Sequence, residues 1–208
     1  MELPTSRGDQ MRKIVPAFLV LLNIVEIILY LLHKRTIDED MAQWKKYHPY
    51  PKEGILSLNY LLWFYKSFRA VFIYRTIGSK RALYLLKPLL KRPPVGIEID
   101  GKIGGGLLIT HNMGCIINVA SAGKNLSVAQ GVTIGAGKAD SAGRNTPIIG
   151  DNVSVLTNSV LFGAIQIGNN VKIGAGTILN KSVPDNCTVV GNPARIVSRD
   201  GIKCDERL

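Results

Sequence analysis

The sequence predicts a mainly β fold: a solenoid of short parallel strands behind an α-helical N-terminal region. Three observations predict it. Aliphatic residues recur every six positions at Ile149, Val155, Leu161, Ile167, Ile173 and Leu179, with earlier runs at Ile97, Ile103, Ile109 and at Ile116, Ala122, Val128, Ile134. Four places after each later lead residue stands a small or β-branched one: Val153, Ser159, Ile165, Val171, Thr177 and Val183. Before Pro93-Pro94 the apolar spacing is helical instead. A sustained short period marks a repeat architecture and takes precedence over any single helix or strand.

Six residues make one short strand plus a tight corner. The lead residue points into a narrow interior, and the residue four on lies near the next corner. Gly and Asn at Gly135, Asn152, Asn169, Asn170 and Gly176 suit corners that need positive φ. Periods of 3.6 and 2 do not fit the lead positions. The pattern resembles the left-handed parallel β-helix of the hexapeptide-repeat acyltransferases. The left hand is what the resemblance implies; it departs from the usual right-handed crossover.

The chain has 208 residues. It divides into a helical region, 1–94, a coil, 95–199, and a tail, 200–208. At eighteen residues per turn the coil has roughly five turns, enough for a stable solenoid. Net charge is +11, carried mostly at the front: residues 1–96 hold 16 Lys and Arg against 7 Asp and Glu, and residues 97–208 hold 10 against 8. An anionic partner of the N-terminal part follows, a membrane surface or phosphorylated acceptor rather than nucleic acid, for which no motif is present. Cys115, Cys187 and Cys204 lack C-x-x-C spacing, which favours a reducing cytosol over a disulfide framework.

Residues 14–32 are apolar and nearly long enough to span a bilayer. Their polar members and the residue after them, Asn23, Glu26, Tyr30 and His33, fall on one helix face. A central Glu costs about 2.5–3.5 kcal/mol on insertion scales. A membrane anchor and a helix packed on neighbouring subunits both remain open; a cleaved signal peptide is disfavoured, since His33-Lys34-Arg35 follows. The expected location is the cytoplasm, with 14–32 the candidate attachment to the cytoplasmic face of a membrane. Residues 36–56 read as a charged linker marked by Pro49, Pro51 and Gly54, with His48 a solvated loop residue. One helix is expected from Ser57 to Ile77 and a short one from Lys80 to Leu86. They form a cap over the open end of the coil, a basic surface for a membrane, or both.

The candidate chemistry lies where the rhythm slips. Ile109 to Ile116 is seven positions, and the slip contains Thr110-His111-Asn112-Met113-Gly114. His111 is the coil's only histidine. A slip can aim a side chain out of the wall, and imidazole is the side chain suited to general base work near neutral pH. A plain surface histidine is the alternative. Between Ile134 and Ile149 the gap is fifteen positions rather than twelve, so a Gly-rich loop projects there.

Ile109-Thr-His-Asn-Met-Gly-Cys-Ile-Ile117, Leu126 to Gly135, and the closing Val189-Val-Gly-Asn-Pro-Ala-Arg-Ile-Val197 resemble the serine acetyltransferases and related polysaccharide O-acetyltransferases over about residues 95–199. The resemblance implies that His111 deprotonates an acceptor hydroxyl, which attacks the thioester of acetyl-CoA, and that Asn112 and Thr146 border the acceptor. It implies a homotrimer that buries the flat faces of the coil, with no metal. By similarity to the galactoside and maltose acetyltransferases, Thr157, Ala175, Asn180, Lys181 and Arg195 would line acetyl-CoA, the two cations meeting its phosphates. Two family features are missing. Thr146 stands where serine acetyltransferases carry a second histidine, and Gly96 stands where they carry the aspartate that orients the first; Glu98 and Asp100 are the nearest acids, and Glu98 is the candidate orienting one. These departures move the expected acceptor to a sugar hydroxyl of a surface polysaccharide or its precursor. Serine itself is the alternative acceptor, and a non-catalytic structural β-helix the alternative of another class. A zinc carbonic anhydrase on the same coil is excluded, because it needs several histidines.

Overall fold

Each six-residue unit becomes one side of a triangular prism. The computed structural model describes residues 21–48, 50, 53–78, 88–111 and 113–208. Side one stacks β2 (Leu108–Ile109), β4 (Ser127–Val128), β7 (Ser154–Val155), β10 (Lys172–Ile173) and β12 (Cys187–Val190) in parallel. Side two stacks the first halves of β1 (Ile97–Ile103) and β3 (Cys115–Ala122) with β5 (Thr133–Gly135), β8 (Val160–Phe162) and β11 (Ile178–Leu179). Side three stacks the second halves of β1 and β3 with β6 (Ile148–Ile149), β9 (Gln166–Ile167) and a bridge to Val183. The result is a parallel β-solenoid of about five turns, as the sixfold period predicts. Ile109, Val128, Ile134, Val155, Leu161, Ile173 and Leu179 are all buried in its interior. So are the small residues four places on, including Ser159 and Thr177, whose hydroxyls both donate to Gly174 C=O (2.8 and 2.7 Å).

At two places the rhythm is corrected. Ile117, 1% exposed, faces the interior, while Ile116, 44% exposed, faces out. The corner His111–Gly114 contains two left-handed residues, His111 (φ 65°) and Gly114 (φ 42°), and delivers the chain to side two two positions late, since Ile109 and Ile117 stack on Val128 and Ile134 of the next turn. The gap from Ile134 to Ile149 turns a single corner, the one that the next turn makes from Leu161 to Ile167 in six. The inserted loop is therefore longer than the count of fifteen against twelve implied.

Among the described residues four α-helices precede the coil: α1 (Ile24–Leu32), α2 (Lys34–Tyr47), α3 (Gly54–Phe64) and α4 (Lys66–Thr76). The expected linker at 36–56 is largely α2. Its charges other than Asp40 are at least partly exposed, while Ile37, Met41 and Trp44 recur at helical spacing and are buried. The single helix expected from Ser57 breaks at Tyr65, where Arg69 donates to the last carbonyls of α3, Leu62 (2.6 Å) and Trp63 (3.0 Å). The short helix expected from Lys80 and residues 1–20, which include the first part of the apolar stretch 14–32, lie outside the described residues. Among the described residues no helix is long and apolar enough to cross a membrane.

The helices cap the first turn of the coil through polar contacts. Asp40 takes Arg75 bidentately (2.8 and 2.9 Å) and accepts from the N–H groups of Gly106 (2.8 Å) and Leu107 (2.7 Å). Arg75 continues to the carbonyls of Ile103 and Gly104, and Trp44 Nε1 donates to Leu107 C=O (2.9 Å). Burial raises the Asp40 pKa, against the opposing pull of Arg75 and the two N–H donors. At the far end β12, β13 (Arg195–Arg199) and β14 (Ile202–Arg207) form an antiparallel closure. The residues set apart as a tail thus supply a strand.

Candidate active site

His111 sits on the corner between sides one and two, exposed, in a left-handed conformation that histidine tolerates better than most residues. Backbone bonds tie the same corner of successive turns together: Gly131 N–H to Met113 C=O (3.1 Å), Asn158 N–H to Gln130 C=O (3.1 Å), Gly176 N–H to Thr157 C=O (2.9 Å). His111, Gln130, Thr157 and Ala175 therefore stand along one edge of the prism. Asn112 lies outside the described residues. Cys115, beside the slip, is no competing nucleophile: burial raises its thiol pKa, and Sγ is turned inward to Ala129 C=O (3.3 Å).

The acids expected near His111 do not reach it. Among the described residues neither Glu98 nor Asp100 hydrogen-bonds or ion-pairs with it; Glu98 lies on β1 beside Ile116 and lines a groove with Ala70, Ile73 and Tyr74. Gly96 accepts the Cys115 N–H (2.8 Å), and a Cβ there would approach Gly114 Cα to 3.7 Å. A side chain at 96 would stand beside the slip, and its φ of 83° is one that glycine adopts freely. What the fold does bring to His111 is His48. At the end of α2 it is half-buried between the rings of Trp44 (5.8 Å) and Tyr65 (4.5 Å), not a solvated loop residue. Burial first, then repulsion from His111, lower its pKa. Its signal in the sequence was the stripe Ile37, Met41, Trp44, His48, which continues one helix face.

The remaining candidates occupy the other edge of side two or its end. The loop 136–147 leaves between β5 and β6. Arg144 pins it, ion-paired with Asp140 (3.0 Å) and donating to the carbonyls of Thr146 (2.9 Å) and Ala164 (2.9 Å). Thr146 thus stands on a different edge from His111 of the same chain. Asn180 and Lys181 line a groove of 240 Å³ with Ile178, Pro193, Ala194 and Leu208. Arg195 faces Asp205 in an ion pair and is not the free cation expected.

No protein-family model matches the chain. A serine acetyltransferase of Bacillus pumilus is 36% identical over 152 residues, which are 69% of this chain and 70% of that one. One of Synechococcus elongatus is 40% identical over 119 residues, 56% of this chain and 48% of that one, and one of Staphylococcus aureus is 43% identical over 111 residues, 52% of each. The chain thus spans about half the length of the latter two relatives. The crystal structure of Neisseria gonorrhoeae serine acetyltransferase superposes with a TM-score of 0.65 at 28% identity, over 88% of this chain and 71% of that one. A serine acetyltransferase in complex with CoA gives 0.59 at 27%, over 83% and 74%. These findings correct the expected polysaccharide acceptor, which rested on the missing aspartate and second histidine and on the basic N-terminal part: the relatives and structural neighbours are named for serine. By its repeat, its closing motif and its identity to a relative of which it covers more than two thirds, the chain belongs to the serine acetyltransferase family.

Proposed function

We propose that the protein is an acetyl-CoA-dependent O-acetyltransferase whose acceptor is the hydroxyl of serine, with His111 as general base. The observation that carries this is the placement of an exposed imidazole at the register slip, on the edge that also bears Thr157 and Ala175. His111 takes the hydroxyl proton as the oxygen bonds to the thioester carbonyl carbon. The C–S bond then breaks, and the leaving sulfur takes the proton from the imidazolium, so that the ester and free CoA are formed. Structural neighbours in complex with serine and with CoA support this choice of substrates. Lys181, exposed on its groove, is the cation for the CoA phosphates.

The site is shared between copies in a trimer. Thr146 and His111 lie on different edges of one prism, so the loop of one copy completes the site at the His111 edge of the next. His48, whose pKa is lowered first by burial and then by repulsion from His111, is the residue that the helical cap contributes near His111. Thiol release from acetyl-CoA with L-serine and with a panel of sugars tests the acceptor. Release that depends on serine is expected; release with a sugar and none with serine would overturn the assignment.

A further inference from the structure

Helix α1 is mounted with its polar face inward. Asn23, Glu26 and Tyr30 are buried, Glu26 to 2%. Tyr30 donates to Asp38 (2.7 Å), Glu26 accepts from the Lys91 N–H (3.2 Å) and lies 3.8 Å from Lys91 Nζ, and Asn23 bonds to Asn59. The Lys91 ammonium also covers the Trp63 ring (4.3 Å). The opposite face carries Leu22, Ile24, Ile28, Leu31 and Leu32, each more than half exposed, up to 72% at Leu32. A surface helix of a self-contained domain has the reverse arrangement. A row of five aliphatic side chains, Leu22 in the 3-10 turn that leads into α1 and four on α1 itself, marks an interaction site.

We propose that this stripe is a lipid-facing surface that seats the protein on an anionic membrane. Charge chooses this occupant. The apolar stretch 14–32 is bracketed by Arg12-Lys13 and Lys34-Arg35, and the first 96 residues hold most of the excess of cations. Arg35 is exposed and, among the described residues, makes no ion pair; Lys34 is paired with Asp38. Lipid phosphates match the exposed Arg35 beside the stripe and the cationic excess of this part of the chain. The inward polar face explains how a segment containing Glu26 can present a purely apolar surface: Glu26 is spent on the cap and never meets lipid. The proposal is independent of the reaction proposed above.

The test is flotation of the full-length protein with vesicles of phosphatidylcholine and phosphatidylglycerol, with phosphatidylcholine vesicles as control. The expected result is co-flotation with the anionic vesicles at low salt, weakened by salt and by omission of phosphatidylglycerol. Ile28→Ser with Leu31→Ser, both exposed, should cut partitioning at least about tenfold without lowering the melting temperature. Lys34→Gln with Arg35→Gln should remove the preference for anionic lipid. Three results would overturn the proposal: no flotation of the wild type at low salt, equal flotation of the aliphatic variant, or lipid-free self-association that the same variant abolishes, which would assign the stripe to a second copy.

Discussion

The coil and its helical cap hold together by opposite means. In the coil the apolar residues go in by rule, one per side, and the backbone bonds run from turn to turn at nearly constant geometry. Its polar side chains stand on the outer faces of the strands and at the corners. Asn125, Asn152, Asn170 and Asn186 bond in a ladder (2.8, 3.1 and 2.8 Å) that ends on Asp200 (2.9 Å). In the cap an apolar core that includes Ile37, Trp44, Leu61 and Phe68 is joined by a buried Asp40–Arg75 pair, a buried Glu26 and a buried Asn23, and the aliphatic side chains on one face of α1 are left outside. A periodic structure can be stabilised by many equal contacts. A lid has to fit one end of it, and it does so with a few directional ones. The site lies where the two meet: His111 belongs to the coil and His48 to the cap.

The largest expected effect is on that meeting point. His111→Ala should lower turnover by about 10²–10⁴-fold, the usual contribution of a general base. Because His111 is exposed, the melting temperature should not change. Thiol release and a thermal melt on the same sample check both, and retained turnover with serine would remove the general-base role from His111.

The next two predictions separate the two modes of stabilisation. Asp40→Ala leaves Arg75 buried without its carboxylate and should cost about 3–5 kcal/mol in denaturant unfolding. Asp40→Ala with Arg75→Met should recover part of that loss, because the pair and not the packing is what the single change breaks. Leu161→Ala in the coil should cost about 2–5 kcal/mol as a cavity, with no second substitution of a polar partner able to restore it. Equal recovery in both places would erase the distinction. A smaller loss, about 1–2 kcal/mol, is expected for Asn152→Ala, which keeps a φ of 57° without the side chain that tolerates it and interrupts the ladder. Asn152→Gly should lose less, since glycine removes the strain and leaves only the lost bonds.

This contrast also accounts for what could be read from the sequence. The coil was legible because every turn repeats the same demand: Val155, Ile173 and Val189 stack on one another and are aliphatic for one reason. The slip was legible as a slip, but its direction was not. Choosing Ile117 over Ile116 depends on the two left-handed corner residues, which sequence spacing does not report. The cap was read poorly because its partners are far apart in sequence. Asp40 looks like one more charge in an acidic run, and only Arg75, 35 positions on, makes it a joint. The same holds for His48, whose neighbours Tyr65 and His111 come from other elements.

His48 gives the smallest and most discriminating effect. Its pKa is lowered in the folded chain, by burial and then by His111, so the unfolded chain binds its proton more readily. Between the folded and unfolded values the unfolded state carries more protons, and stability therefore rises with pH. The contribution is present above the unfolded value, about 6.5, and is lost as pH falls below it. His48→Phe keeps a ring between Trp44 and Tyr65 and removes the titration. The denaturation midpoint of the variant should therefore depend less steeply on pH below about 6.5 than that of the wild type, and the two should converge above it. His111→Ala should reduce the same slope only in part, since burial is the larger cause and repulsion the smaller. A slope unchanged by His48→Phe would place the acid sensitivity elsewhere in the molecule; a slope abolished by His111→Ala would reverse the order of the two causes and make the pair of imidazoles, rather than the cap that buries one of them, the origin of the shift.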